Sequence, residues 1–213
     1  VSDTGDHGWL KQGSTSSDDV KQSYDSWATT YDSDLAAWDY RAPAQVAGML
    51  RDAIPVTAEI LDAGCGTGLA GRALRDAGFT GPIDGMDLSP PSLEQADQLG
   101  VYRSVRQVNL QDVPLPLPDE SYDAVICVGV LTYVPDSEAV LREFARIVRQ
   151  GRTVLLTQRD DVFRERDFGA TISALVDEGV FSDATVTEPK PYLPNNPDFG
   201  SETLVIYVKL TRG

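Results

Sequence analysis

The residues best placed for chemistry are an aspartate and three alternating glycines, Asp62-Ala63-Gly64-Cys65-Gly66-Thr67-Gly68. The apolar run Ile60-Leu61 leads into them, and helix-compatible apolar spacing follows from Leu69 to Ala77. That order reads as strand, tight turn, helix. Glycines permit positive φ and let a ligand approach the backbone. A helix N-terminus offers free N–H groups and a positive dipole end, which favour an anionic group. Asp87 stands 19 residues beyond Gly68, at the end of a second apolar strand, Ile83-Asp84-Gly85-Met86. An acid in that position accepts hydrogen bonds from ribose hydroxyls in nucleotide sites of this layout. Glycine turn and acid together point to an adenosine-containing ligand.

Two ligand classes compete. Gly66-Thr67-Gly68-Leu69-Ala70-Gly71 satisfies the dinucleotide pattern G-x-G-x-x-G, which favours a nicotinamide cofactor. Asp62, two residues before Gly64, instead suits a ligand with an amino-acid end. The turn amides can take its carboxylate, and a nearby acid or carbonyl can take its ammonium. A short-chain dehydrogenase would also want Tyr-x-x-x-Lys, and no tyrosine has a lysine four residues on.

Composition narrows the partners. The 213 residues suit one domain, which buries about 70% of its unfolded surface at this size. Net charge is −15 and lysines number four, which disfavours nucleic acid and anionic membranes. The expected partner is a small-molecule substrate, acting on a monomer or homodimer. Cys65 and Cys127 have neither metal-ligand nor disulfide-framework spacing. No signal-peptide pattern opens the chain, and the apolar run Ala124 to Val134 is too short to span a bilayer. A cytoplasmic location is expected.

The elements that must position these residues follow from periodicity. Residues 1–17 are polar and read as a mobile tail, with His7 solvated in it. Residues 18–53 read as an N-terminal helical lid and 58–213 as an α/β core. Asp18 or Asp19 caps a helix with Val20, Tyr24 and Trp27 on one face, and Pro43 opens another through Leu50. Tyr31, Trp38 and Tyr40 extend the aromatic cluster past the first helix. Ordinary packing explains such a cluster; so does a cover that sets aromatic faces over a cationic ligand. Helices are predicted over Thr67–Ala77, Ser89–Leu99, Glu138–Val148 and Phe168–Val176. Strands are predicted over Val105–Leu110, Tyr122–Val128, Thr153–Thr157, Phe181–Thr187 and Thr203–Leu210. Asp136 or Ser137 caps the third of those helices. Alternating strand and helix, closed by a strand pair, predict a doubly wound, mostly parallel sheet with a C-terminal antiparallel hairpin at one edge.

The segments YDSWATTYD, ILDAGCGTGLAG, GMDLS and PDESYDAVICVGVLTYVPDS stand in an order that resembles class I S-adenosylmethionine-dependent methyltransferases. Within that superfamily the chain looks most like the Williams–Beuren-region methyltransferase-like group. The resemblance implies a seven-stranded sheet with an antiparallel last strand and S-adenosyl-L-methionine as cofactor. It implies that Asp62, Gly64, Cys65, Gly66 and Gly68 form the turn at the amino-acid end. Asp87 would hold the ribose, Leu88 would flank the adenine, and Asn109 and Leu110 would meet its edge. Val128 and Gly129 would lie near the methionine portion, with Tyr24 and Tyr31 covering the cofactor. Asn109 departs from the acid many relatives carry, and Gln150-Gly151-Arg152 departs from a usual Pro-Gly-Gly turn.

Methyl transfer from a sulfonium is an in-line displacement, so alignment and exclusion of water are the protein's main tasks. An oxygen nucleophile also needs a base. Tyr31, Tyr133 and Asp160 are the polar candidates for that role, and Trp27, Tyr133 and Arg159 for holding the acceptor. Arg159 suits a carboxylate or phosphate; a structural salt bridge serves equally. No metal is expected, since helix capping explains Asp136, and solvation Asp160 and Asp161. The expected activity is methyl transfer to a small organic acceptor. A nicotinamide oxidoreductase and a non-catalytic S-adenosylmethionine-binding domain are the alternatives.

Overall fold

The structure is a computed structural model that describes residues 9–12, 16–199 and 202–213. His7 and most of the expected tail lie outside the described residues. The N-terminal segment forms α1 (Trp9–Gln12), α2 (Ser17–Trp27), α3 (Tyr31–Ala37) and α4 (Ala42–Arg51). Ser16, not Asp18 or Asp19, caps α2, accepting the Asp19 amide, and the two aspartates fall in the first turn where the dipole favours them. The core then runs β1 (Ile60–Ala63), α5 (Leu69–Asp76), β2 (Ile83–Asp87), α6 (Pro90–Gln98), β3 (Ser104–Gln107) and β4 (Tyr122–Cys127). It continues with α7 (Ser137–Ile147), β5 (Val148–Arg159), α8 (Asp160–Glu165), α9 (Phe168–Asp177), β6 (Phe181–Val186), β7 (Lys190–Pro191) and β8 (Leu204–Arg212).

The strands pair in the order β3-β2-β1-β4-β5-β8-β6, with the two-residue β7 against β8. Pairs among β1 to β5 are parallel, while β8 is antiparallel to β5, β6 and β7. The expected seven-strand path is therefore present, with β7 as an extra short bridge. The expected C-terminal antiparallel hairpin is present at one edge as β6 and β8, with β8 lying between β5 and β6.

Both faces of the sheet are covered. In β4, Ala124 and Ile126 pack with Val46, Leu50 and Leu74 of α4 and α5. Val125 and Cys127 pack on the other face with Leu141, Phe144 and Ile172 of α7 and α9. A segment buried on two faces must be apolar throughout, which is why the run from Ala124 to Cys127 is unbroken. Gln150-Gly151-Arg152 is not a turn. It lies within β5, where pairing jumps from Tyr122↔Val148 to Ala124↔Thr153, and Gly151 takes φ +69° to make the bulge. Among the described residues no helix is long and apolar enough to cross a membrane.

Because β1 to β4 are parallel, their carboxyl ends share one edge of the sheet. In open α/β sheets ligands bind in the crevice at that edge. The N-terminal helices pack over it.

Candidate active site

The glycine turn is tied to the second strand before any side chain is considered. The Gly64 and Cys65 amides both donate to Met86 O, at 2.7 and 3.0 Å. Gly64, Gly66 and Gly68 have φ of +80°, +53° and +99°, which only glycine adopts without strain. The Gly66 amide donates to Asp87 Oδ2 at 2.9 Å, and the Ser89 amide to Asp87 Oδ1 at 2.9 Å. Burial pushes the Asp87 carboxyl up, and these amide hydrogen bonds offset part of that effect.

Beside the turn lies a cavity that opens in part to solvent. Gly64, Gly66, Asp87, Leu88, Asn109, Leu110 and Val128 line it, and Tyr24 and Tyr31 approach from the N-terminal helices. A Cβ on Gly66 would meet nothing within 4 Å, so this glycine opens toward free space. Asn109 is held on both sides: its Nδ2 donates to Ser17 Oγ at 3.2 Å and its Oδ1 accepts the Gln111 amide at 3.1 Å. Val20, Lys21, Ser89, Gln111 and Val130 also line the cavity and were not expected there. Val20 is one turn before Tyr24 on the face already singled out and Lys21 follows it on α2, while Ser89, Gln111 and Val130 lie two to four residues beyond the ends of β2, β3 and β4.

A second, smaller hollow shares Tyr24, Tyr31, Gly129 and Tyr133 with the cavity. Its remaining wall includes Trp27, Tyr40, Tyr192 and Phe199. Trp27 is the hub, 4.6 Å from Tyr31 and 5.6 Å from Trp38 between ring centroids, with its Nε1 donating to Asp34 Oδ2 at 2.7 Å. Leu10 of α1 closes the hollow and Trp9 packs on Trp27 at 5.8 Å, so this part of the expected tail is folded onto the site. Burial pushes the Tyr24, Tyr31 and Tyr133 phenols up, with neighbouring tyrosines adding to it for the first two. The three remain protonated donors near neutrality.

Other expected site residues sit elsewhere. Asp62 is fully buried under the turn and does not line the cavity. Its Oδ2 accepts from the Tyr102 hydroxyl at 2.7 Å, and its Oδ1 has no partner. Burial pushes its carboxyl up to about 7. Cys65 packs against Leu93 and Ala96, and Gly68 caps α5 beside Leu99. Asp160, placed at the mouth by sequence, is instead buried in packing. Its Oδ1 accepts the Leu204 amide at 3.0 Å and its Oδ2 pairs with Arg164 at 2.8 Å. Arg159 lines neither space: it binds Asp161 and Leu10 O and lies 5.5 Å from the centre of the Phe199 ring. Arg159 ends β5 at the correct edge, but α8 begins at Asp160 and the polar atoms of both turn into the fold. Asp136 caps α7 through the Ala139 amide, and no cluster of metal-ligating side chains exists among the described residues.

Residues 61–156 match the family model for a methyltransferase domain. Methyltransferase-like protein 27 of Homo sapiens is 44% identical over 112 residues, 51% of this chain and 45% of that one. A demethylmenaquinone methyltransferase of Bacillus licheniformis is 39% identical over 114 residues, 52% and 49%. A ubiquinone biosynthesis O-methyltransferase of Pseudomonas savastanoi is 35% identical over 103 residues, 46% and 43%. The matched segment thus spans about half the length of these relatives. A solved S-adenosylmethionine-dependent methyltransferase of Thermotoga maritima, described as a possible histamine N-methyltransferase, superposes at TM-score 0.66. It is 17% identical and covers 91% of this chain and 99% of its own. A TehB-like methyltransferase of Corynebacterium glutamicum superposes at 0.63 with 19% identity, covering 90% and 99%. At such identities the structures speak for the fold, and the sequence match covers the glycine turn, Asp87 and the ends of β3 and β4. Residues 61–156 thus resemble a methyltransferase domain in sequence, and the chain has the fold of the solved S-adenosylmethionine-dependent methyltransferases.

Proposed function

We propose that the chain transfers a methyl group from S-adenosylmethionine to a small organic acceptor seated in the aromatic hollow. The carrying observation is that cavity and hollow share Tyr24, Tyr31, Gly129 and Tyr133. A group bound in one would face a group bound in the other.

The residues present fit the cofactor. Asp87 keeps lone pairs free for ribose hydroxyls beyond those its amide partners use. Leu88 and Leu110 supply apolar faces for adenine, and Gly66 leaves room at the turn. The Asp62 carboxylate, buried under the turn, would lend a counter-charge to an ammonium held at the Gly64 end of the cavity. When bound, S-adenosylmethionine supplies a methyl group activated on a positively charged sulfur. Tyrosine and tryptophan faces attract such a cation and keep water from it. Tyr31 and Tyr133, held protonated by burial, orient an acceptor by donating hydrogen bonds. The quinone-pathway names of two relatives, one an O-methyltransferase, support a small organic acceptor.

Calorimetry with S-adenosylhomocysteine and with NAD tests the cofactor; comparable or tighter binding of NAD would overturn it. Formation of S-adenosylhomocysteine with a panel of small phenols, amines and thiols tests the acceptor class. Failure of the whole panel, alongside turnover on a protein or nucleic acid, would overturn the small-acceptor reading.

A further inference from the structure

Gly71, the third glycine of Gly66-x-Gly68-x-x-Gly71, does not face the cavity. A Cβ there would lie 2.4 Å from the Tyr102 hydroxyl oxygen. A Cβ on Gly68 or on Gly85 would lie 3.2 Å from the same ring. Two glycines at the start of α5 and one in β2 thus leave a slot, and the Tyr102 ring fills it. The glycine that completes a dinucleotide pattern in sequence makes room here for a tyrosine.

The hydroxyl at the end of that ring has two partners. It donates to Asp62 Oδ2 at 2.7 Å and accepts the Gly71 amide at 3.2 Å. Tyr102 therefore bridges β1, α5 and β2 at the point where the turn leaves the sheet. With one Asp62 oxygen fixed by the phenol, the other is left without a partner.

We propose that Tyr102 is a positioning residue for the cofactor's amino-acid end, holding the Asp62 carboxylate beneath the glycine turn for the ammonium group. The inference rests on the cofactor assignment above. Asp62, in β1, is faced by Tyr102 from the segment before β3, by Asp87 from β2, by Cys65 from the turn and by Cys127 from β4. Burial and Asp87 favour its neutral form; the Tyr102 hydroxyl and the Gly71 amide favour the carboxylate. Removing the hydroxyl therefore moves Asp62 toward the neutral form, and an ammonium loses its counter-charge at a higher pH than before.

Tyr102→Phe keeps the ring in its slot and tests the hydroxyl alone. S-adenosylhomocysteine affinity should fall about tenfold at neutral pH, the scale of one hydrogen bond to a charged group. The acid-side loss of affinity should begin at higher pH than in the wild type. Adenosine, which has no amino-acid end, should bind both proteins alike. Asp62→Asn should abolish the acid-side loss on either background. Equal weakening of adenosine and S-adenosylhomocysteine, an unmoved acid limb, or a limb that survives Asp62→Asn would overturn the proposal. Wild-type protein that binds no S-adenosylhomocysteine would instead overturn the cofactor assignment.

Discussion

Thr67, inside the glycine turn, donates its hydroxyl to Asp32 Oδ1 at 2.5 Å, across 35 residues of sequence. Arg72 of α5 pairs with the other oxygen of Asp32 at 3.3 Å. The N-terminal helices are thus fastened to the turn itself. A ligand that orders the turn also orders its cover.

Residues 18–40 should therefore act as a lid. Hydrogen exchange in this segment should slow markedly when S-adenosylhomocysteine is added, with opening on the microsecond-to-millisecond scale usual for lids. Equal protection with and without ligand would make the segment fixed structure.

Asp87→Ala should weaken S-adenosylhomocysteine binding by about 1–3 kcal/mol. Asp87 is partly buried and holds the Gly66 and Ser89 amides, so part of the loss arises from a looser turn. Titration calorimetry reads the affinity, and a melting curve separates it from unfolding. An unchanged dissociation constant would remove Asp87 from the ribose.

Stability of the ligand-free protein should rise as pH falls from about 8 toward 5. The folded Asp62 carboxyl sits at about 7 against an ordinary 3.8, so the native state binds more protons than the unfolded state between those values. The upward shift of Asp87 acts in the same sense. Melting temperature against pH measures the slope, and Asp62→Asn should flatten it. A slope unchanged in that variant would show that overall charge, not Asp62, sets it.

Arg159→Ala should destabilise the fold by about 2 kcal/mol, since buried acceptors lose their charged donor. The partners are Asp161 and the Leu10 carbonyl, with Phe199 stacked beside them. Acceptor KM should rise only through loosening of the hollow. A large rise in KM with an unchanged melting curve would return Arg159 to the acceptor.

Local patterns carried the glycine turn, Asp87 at a strand end, the two-sided β4 and the order of strands. Each depends on neighbours in sequence. Apolar alternation marks a strand, positive φ demands glycine, and parallel strands put their carboxyl ends on one edge. The aromatic cluster was legible in the same way, because Tyr24 and Trp27 keep helical spacing and lie on one face of α2.

What the chain alone could not decide was which side chains at that edge reach the cavity. Arg159 ends β5 where a site residue belongs, yet α8 starts at Asp160 and the Leu204 amide, Arg164 and Asp161 take the polar atoms of the two. Tyr102 stands in no motif, and only folding brings it to Gly68, Gly71, Gly85 and Asp62. The insertion of β8 between β5 and β6 is likewise invisible in order along the chain. Sequence by itself determined the backbone of the site, because that backbone is local and its glycines are required by dihedral sterics. Tertiary structure decided the distant polar partners, because bonds such as Tyr102–Asp62, Leu204–Asp160 and Arg159–Leu10, which join groups 40, 44 and 149 residues apart, follow from how layers stack and leave no periodic trace.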